Sequence, residues 1–235
     1  MNRRALVLML FVGPAGMSQA GGCAELAALN AAAVRDRDIQ VDPLAAAVRT
    51  AVTLPSAPSR MQEKLYPHEY QFSWGQSERS QSRAAGGRRA PQTEKLIKAC
   101  LDHALQGAQD LAFRRKADEA KGDVYQLRVS LRYVYLFLDH NDQRELGKRN
   151  WAGCELEYTA ELHAPRAAPR SAASQPSTAG RALATYDNVA GAHRFSLFDA
   201  SLVEECLGLA SRRAAAEIVR WAHALLADKT SRPSR

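Results

Sequence analysis

The 235-residue chain is poor in aromatic residues and in cysteine, and it has no apolar run long enough to cross a bilayer. Phe, Trp and Tyr make up 7% of the sequence, and alanine supplies much of the 46% hydrophobic fraction, which predicts a core of modest size. The cysteines are Cys23, Cys100, Cys154 and Cys206. No two of them have Cys-x-x-Cys spacing, which argues against a redox motif or a zinc knuckle.

Recognisable catalytic motifs are also missing. The sequence contains no Gly-x-Ser-x-Gly elbow and no phosphate-binding loop ending in Lys-Ser or Lys-Thr, and its six histidines form no dense metal-ligand spacing. We therefore predict no catalytic residue set, no metal site and no cofactor. A periplasmic hydrolase stays an alternative, because catalytic residues can be scattered along a chain and meet only after folding.

The N-terminus, "MNRRALVLMLFVGPAGMSQAGGC", has the pattern of a secretory leader. Arg3 and Arg4 are followed by the short apolar run 5–12, and Ser18-Gln19-Ala20 offers a small residue at each end of a cleavage site. We predict that residues 1–20 are a signal peptide and that the mature protein is periplasmic.

Cys23 offers a second route of processing. Ala20-Gly21-Gly22-Cys23 is similar to a lipobox, in which the cysteine is lipidated and tethers the protein to the outer membrane. Leucine is usual where Ala20 stands, and the apolar run ends well before this point. We favour cleavage after Ala20, with lipidation of Cys23 as the alternative.

The formal net charge is +7, and the chain without residues 1–20 carries +5 because it loses Arg3 and Arg4 and no acid. Export argues against a nucleic-acid partner and favours anionic lipid, lipopolysaccharide or an acidic envelope protein. A solubilising surface charge is the alternative. The candidate contacts with an anionic partner are Arg79, Arg83, Arg88, Arg89, Lys148, Arg149, Arg166 and Arg170.

Apolar residues that recur at helical spacing predict three helices. A helix over residues 93–113, capped by Thr93, and a long final helix each carry one apolar stripe. The alanine-rich stretch "LAAAVRTAV", residues 44–52, predicts a further short helix, and residues 56–69 read as a loop.

Alternation of apolar and polar residues predicts the strands "YQFSW", "VYQLRVSLRYVYLFLD", "CELEYTAELH" and "RALATYDNV". In the second strand the apolar face is predicted to be Tyr125, Leu127, Val129, Leu131, Tyr133, Tyr135 and Phe137. Its other face turns apolar near the end, which predicts either cover on both sides or a binding surface. Arg128 and Arg132 on that face complement the glutamates of the third strand, so we predict an antiparallel hairpin.

These elements predict an α+β fold in the order β-α-β-β-β-α, with an antiparallel sheet of three to four strands and two long helices packed on one face. The predicted organisation is a signal peptide 1–20, a helical or irregular segment 21–65, an α+β domain 66–228 with flexible loops at 75–92 and 164–180, and a disordered tail 229–235. Cys100, Cys154 and Cys206 are predicted to face one another in the core, where two of them could form a disulfide bond.

Four segments carry a resemblance: "TEKLIKACLDHAL", "DVYQLRVSLRYVYLFLD", "CELEYTAELH" and "DASLVEECLGLASRRAAAEIVRWAHALL". In their order, over residues 66–228, the chain resembles small Gram-negative envelope lipoproteins, namely the auxiliary lipoproteins of ABC-type lipid transport and the lipopolysaccharide-assembly lipoprotein. The resemblance implies a non-enzymatic accessory role in moving or assembling envelope components. A structural subunit of a secretion apparatus is the remaining alternative.

Overall fold

The computed structural model describes residues 17–65, 68–77, 87–115, 124–141, 149–165, 175–189 and 200–231. The helices are α1 (Met17–Ala32), α2 (Asp36–Ile39), α3 (Pro91–Ala112) and α4 (Ala200–Ser231). The strands are β1 (Leu44–Thr53), β2 (Arg60–Leu65), β3 (His68–Gly75), β4 (Phe113–Arg115), β5 (Val124–Asn141), β6 (Arg149–His163) and β7 (Ser177–Val189).

Strand β5 organises a sheet of seven strands. Along one side its first half pairs in parallel with β1, and its second half pairs antiparallel with β3. Along the other side it pairs antiparallel with β6, which in turn pairs with β7. The α+β class is confirmed, and Arg128 lies opposite Glu161 as the predicted hairpin requires. The expected three to four antiparallel strands are too few, because β1, β2 and β4 also join the sheet and β1 is parallel to its neighbours.

The helix predicted over residues 44–52 is wrong, because this segment forms β1. Alanine favours a helix locally, but the segment also alternates, and Val48 packs into the core while Arg49 is exposed. Pairing with β5, which lies far along the chain, decides between the two conformations. The loop predicted over residues 56–69 is corrected in the same way, since β2 pairs with β3 there.

A bulge at Arg132 divides the long strand β5 into two halves of opposite phase. Leu131 lies opposite Tyr158, but Tyr133 lies opposite Glu157, so Arg132 has no counterpart in the register. The residues of β5 that join the helix-side core are therefore Leu127, Val129, Leu131, Val134 and Leu136. The prediction of a single apolar face from Tyr125 to Phe137 is wrong beyond the bulge.

Beyond the bulge, the aromatic side chains of β5 pack in a row along the face of the sheet opposite the long helices. The ring centroids of Tyr133 and Tyr135 are 6.5 Å apart, and those of Tyr135 and Phe137 are 5.8 Å apart. Beside them the buried Glu155 carboxylate pairs with Arg181 at 2.7 Å. Both faces of this end of the sheet are thus buried, which is one of the two outcomes expected from its doubly apolar sequence.

The long helices cover the other face of the sheet. Helix α4 lies over β6 and β7, α3 lies beside it over β1, and α1 packs on α4 and α3. Helix α3 begins at Pro91, so Thr93 lies within the helix and does not cap it. Instead, the N–H of Ala90 donates a hydrogen bond to the hydroxyl of the buried Ser59, at 3.1 Å.

Helix α1 includes both points at which the N-terminus could be processed. Ala20 and Cys23 lie in its first half, and the side chain of Cys23 is outside the described part of the structure. The helix residues that enter the core, Ala28 and Ala32, lie beyond both points. Within the described residues, no helix combines the length and the apolar character needed to cross a membrane.

Candidate ligand-binding cleft

The structure describes only part of the predicted set of basic contacts. Arg79, Arg83, Lys148, Arg166 and Arg170 lie outside the described residues, and Arg149 begins β6 with its side chain outside them. The described pair is Arg88 and Arg89, which are adjacent and exposed.

Arg88 and Arg89 are held on a fixed stretch of backbone. The N–H of Arg88 donates to the carbonyl of Met61 at 3.0 Å, and the N–H of Met61 donates back to the carbonyl of Arg88 at 2.9 Å. Gly87, with a φ of +120°, makes this close approach possible, because a side chain there would collide with the Met61 backbone. Arg89 is 65% exposed and lies 3.5 Å from the Glu94 carboxylate.

The three core cysteines come from α3, β6 and α4 and belong to the same hydrophobic core. All are buried and present as thiols. Burial, with the nearby carboxylates of Glu204 and Glu25, raises the pKa of Cys100 to about 12. Burial, a hydrogen bond with Cys206 and the neighbouring Cys206 and Cys100 raise the pKa of Cys154. Burial therefore favours the thiol form of Cys100 and Cys154, which is a poor nucleophile.

A cleft of about 470 Å³ opens between α3 and the strands β1 and β4, and we call it the α3–β1 cleft. Its volume lies in the range of about 300–1,000 Å³ that is typical of small-molecule sites. The lining residues are Val48, Arg49, Thr50, Val52, Asp102, Leu105, Gln106, Gln109, Asp110, Phe113 and Arg115.

The α3–β1 cleft has an apolar part and a charged part. Val48 and Val52 come from β1, and Leu105 and Phe113 come from α3 and its junction with β4. Two arginines and two aspartates form the charged part, and Thr50, Gln106 and Gln109 complete the lining. Both aspartates already have donors, since Asp102 pairs with Lys98 one turn earlier and Asp110 accepts a hydrogen bond from Gln106 at 2.8 Å.

Two residues of the cleft carry buried polar atoms that find no hydrogen-bond partner among the described residues. They are the hydroxyl oxygen of Thr50 and the side-chain nitrogen of Gln109. Gln109 as a whole is only 7% exposed. Leaving such a group without a partner costs about 1–3 kcal/mol. Thr50 belongs to β1 and Gln109 to α3, so the two residues come from opposite walls of the same cleft, although the two unsatisfied atoms are themselves enclosed.

Sequence reasoning missed this cleft for two reasons. The stretch that contains Thr50 was predicted to be a helix, so no sheet edge was expected beneath α3. Gln109 falls four residues after Leu105, at helical spacing with the buried stripe, and a polar residue in that position was the available signal. Among the described residues, no group of three His, Cys, Asp or Glu is arranged to hold a metal ion.

Comparison with known proteins leaves the family open. No protein-family model matches the chain, and no curated protein matches it. Among solved structures, the chain is similar to the crystal structure of protein XCC0632 from Xanthomonas campestris, described with the family model DUF330. The TM-score is 0.40 and the sequence identity 15%, over 85% of this chain and 96% of that chain. The resemblance to envelope accessory lipoproteins stays a prediction.

Proposed function

We propose that this protein is a non-enzymatic accessory protein of the Gram-negative envelope that binds an anionic amphiphile in the α3–β1 cleft. The observation that carries the proposal is the pair of buried polar groups, Thr50 and Gln109, that lack partners on opposite walls of a partly apolar cleft. Both atoms are enclosed, so a ligand that supplies acceptor oxygens reaches them when the side chains over them shift, and it then makes the hydrogen bonds that the protein alone does not make.

The chemistry of the lining supports an anionic head group. The unsatisfied nitrogen of Gln109 is a donor, and the two lining aspartates are already engaged by Lys98 and Gln106. Arginine, which also lines the cleft, binds carboxylates and phosphates through charge-assisted hydrogen bonds. The ligand head is therefore a carboxylate or a phosphate.

The apolar part of the lining supports a hydrocarbon portion on the same ligand. Of the four apolar lining residues, Val52 is partly exposed, whereas Val48, Leu105 and Phe113 are already buried. A bound hydrocarbon therefore gains chiefly from covering Val52 and from its own removal from water, at about 25 cal/mol per Å². A single acyl chain with its head group fits a volume of about 470 Å³, whereas a whole lipopolysaccharide does not. The proposed ligand is therefore a fatty acid or a lysophospholipid.

The cellular address in this proposal comes from the N-terminal leader. Release after Ala20 and lipidation of Cys23 both leave the core residues Ala28 and Ala32 in place, so the cleft is compatible with either form. In this proposal the exposed Arg88 and Arg89 face the anionic lipid surface or an acidic partner of the envelope.

The experiment is a fluorescence titration of the exported protein with 11-(dansylamino)undecanoate, a carboxylate-headed amphiphile. We expect Gln109→Leu to weaken binding about tenfold, because it removes one hydrogen bond to a charged acceptor, which contributes about 1.5–3 kcal/mol. We expect the same variant to unfold at a higher urea concentration, because it also removes an unsatisfied buried amide. The matched control, Gln92→Leu, changes an exposed glutamine in the first turn of α3 and leaves the affinity unchanged.

Competition then identifies the head group. Oleate and lysophosphatidate are expected to displace the probe to different extents, and the stronger competitor reveals whether the cleft prefers a carboxylate or a phosphate. Methyl oleate, which has no charge, is expected to compete weakly. Equal probe affinity in wild type and Gln109→Leu, or displacement by methyl oleate as strong as by both anions, contradicts the proposal.

A further inference from the structure

Cys154 on β6 and Cys206 on α4 are connected by a reciprocal set of contacts. The thiol of Cys154 donates to the carbonyl of Val203 at 3.6 Å, and Val203 precedes Cys206 by about one turn of α4. The thiol of Cys206 donates to the carbonyl of Ala184 at 3.2 Å, and Ala184 is the register partner of Cys154 in the sheet. Each thiol thus reaches the backbone next to the other cysteine.

The third core cysteine does not share this arrangement. Cys100 comes from α3, and its thiol is not part of this exchange of hydrogen bonds between β6 and α4. All three side chains are at most 3% exposed, so neither solvent nor a large protein reaches them in the folded state. The sequence left open which two of the three cysteines pair, and these hydrogen bonds favour Cys154 with Cys206.

We propose that Cys154 and Cys206 form a disulfide bond in the oxidising compartment to which the leader directs the chain, and that Cys100 remains a thiol. The bond would fasten α4 to the middle of the sheet, since β6 pairs with β5 on one side and β7 on the other. The inference relies on the exported address in the proposed function and not on the ligand.

The reaction requires an oxidant that carries a disulfide, either a dithiol oxidase or oxidised glutathione. The thiolate of one cysteine attacks the oxidant and forms a mixed disulfide, with release of one thiol of the oxidant. The second cysteine then displaces the other sulfur of the oxidant. In total the two cysteines lose two protons and two electrons, and the oxidant disulfide becomes two thiols. Because both sulfurs are buried in the fold, the bond forms before α4 closes over β6.

The test maps the cysteines in the full chain after export, in a Cys23→Ser background that removes the lipidation site. The envelope fraction is denatured, alkylated with N-ethylmaleimide, digested without reduction and analysed by mass spectrometry. We expect a linked pair of peptides that contains Cys154 and Cys206, and one alkylated cysteine, Cys100. Cys100→Ser is expected to retain the link, whereas Cys154→Ser leaves Cys206 alkylated.

Alkylation under denaturing conditions reads the linkage whether or not a serine variant folds well. Three alkylated cysteines in the exported protein, or a link that includes Cys100, would overturn the inference. A chain that lacks residues 2–20 and stays in the reducing cytoplasm is expected to show three alkylated cysteines, and a link already present there would overturn the role of export. Failure of the amphiphile titration leaves these outcomes unaffected, so the two proposals are tested separately.

Discussion

Two helix glycines offer a matched test of how the helices pack. Gly208 of α4 lies against α1, where a side-chain carbon would collide with the carbonyl of Ala28 and come within 2.7 Å of the Ala31 side chain and 2.9 Å of the Ala32 nitrogen. Gly107 of α3 has room for a side-chain carbon, which would lie 3.9 Å from its nearest neighbour, an ordinary van der Waals contact. The same change, glycine to alanine, should therefore have opposite effects at the two positions.

The magnitudes follow from these distances. Alanine is favoured over glycine in a helix by about 0.8–1.0 kcal/mol, and Gly107→Ala should gain most of that stability. Gly208→Ala gains the same term but must push α1 away, because backbone atoms cannot rotate aside, and overpacking costs about 1–3 kcal/mol. We expect the free energies of unfolding of the two variants to differ by about 2 kcal/mol, with Gly208→Ala the less stable.

Urea unfolding followed by tryptophan fluorescence measures the difference, and hydrogen exchange locates it. We expect faster amide exchange in residues 25–34 of Gly208→Ala, where α1 ends, and no such change in Gly107→Ala. Equal stabilities for the two variants, or unchanged exchange in α1 of Gly208→Ala, would refute the packing of α1 on α4 described above.

Two further predictions concern titratable groups. The hydroxyl of Tyr158 donates to the Glu217 carboxylate at 2.7 Å, so Tyr158→Phe should destabilise by about 1.5 kcal/mol in urea unfolding. Burial and this hydrogen bond raise the pKa of Tyr158 above 10.0. The stability that the Tyr158 hydroxyl contributes is therefore complete below pH 10 and is lost as the pH rises further. An unchanged alkaline stability profile in Tyr158→Phe would contradict this. Burial acts to raise the pKa of Glu94, but hydrogen bonds from Ser59 and the nearby Arg89 outweigh it and hold the pKa below 4.5. The stability from Glu94 is therefore present above pH 4.5 and lost as the pH falls through the lowered pKa, and a pKa at or above 4.5 in a carboxyl NMR titration would show that these contacts are absent.

The strands that the sequence predicts correctly are those in which alternation and charge agree. In β6, and in β5 as far as the bulge, the apolar residues alternate, and Arg128 opposite Glu161 supplies complementary charges across the pair. Both signals are local to a hairpin whose strands follow each other in the chain. Such a pair can be inferred from the sequence without knowledge of the rest of the fold.

The parts that the sequence does not reveal depend on partners that are distant in the chain. The stretch 44–52 is a strand because β5 lies beside it, and its alanines alone favour a helix. The bulge at Arg132 leaves only an ambiguous mark, because from Tyr133 onward both faces of the strand are apolar and either one is suited to face the core. The α3–β1 cleft could not be predicted for the same reason, because it exists only where β1 passes beneath α3.

The most direct test of the proposed function is photoaffinity labelling of the exported protein with a diazirine-bearing fatty acid, followed by mapping of the labelled peptides. We expect labels in residues 48–52 and 102–115, competition by unlabelled oleate, and weaker labelling of Gln109→Leu than of Gln92→Leu. Labels confined to other parts of the chain, or equal labelling of the two variants, would contradict the claim that the α3–β1 cleft binds an anionic amphiphile.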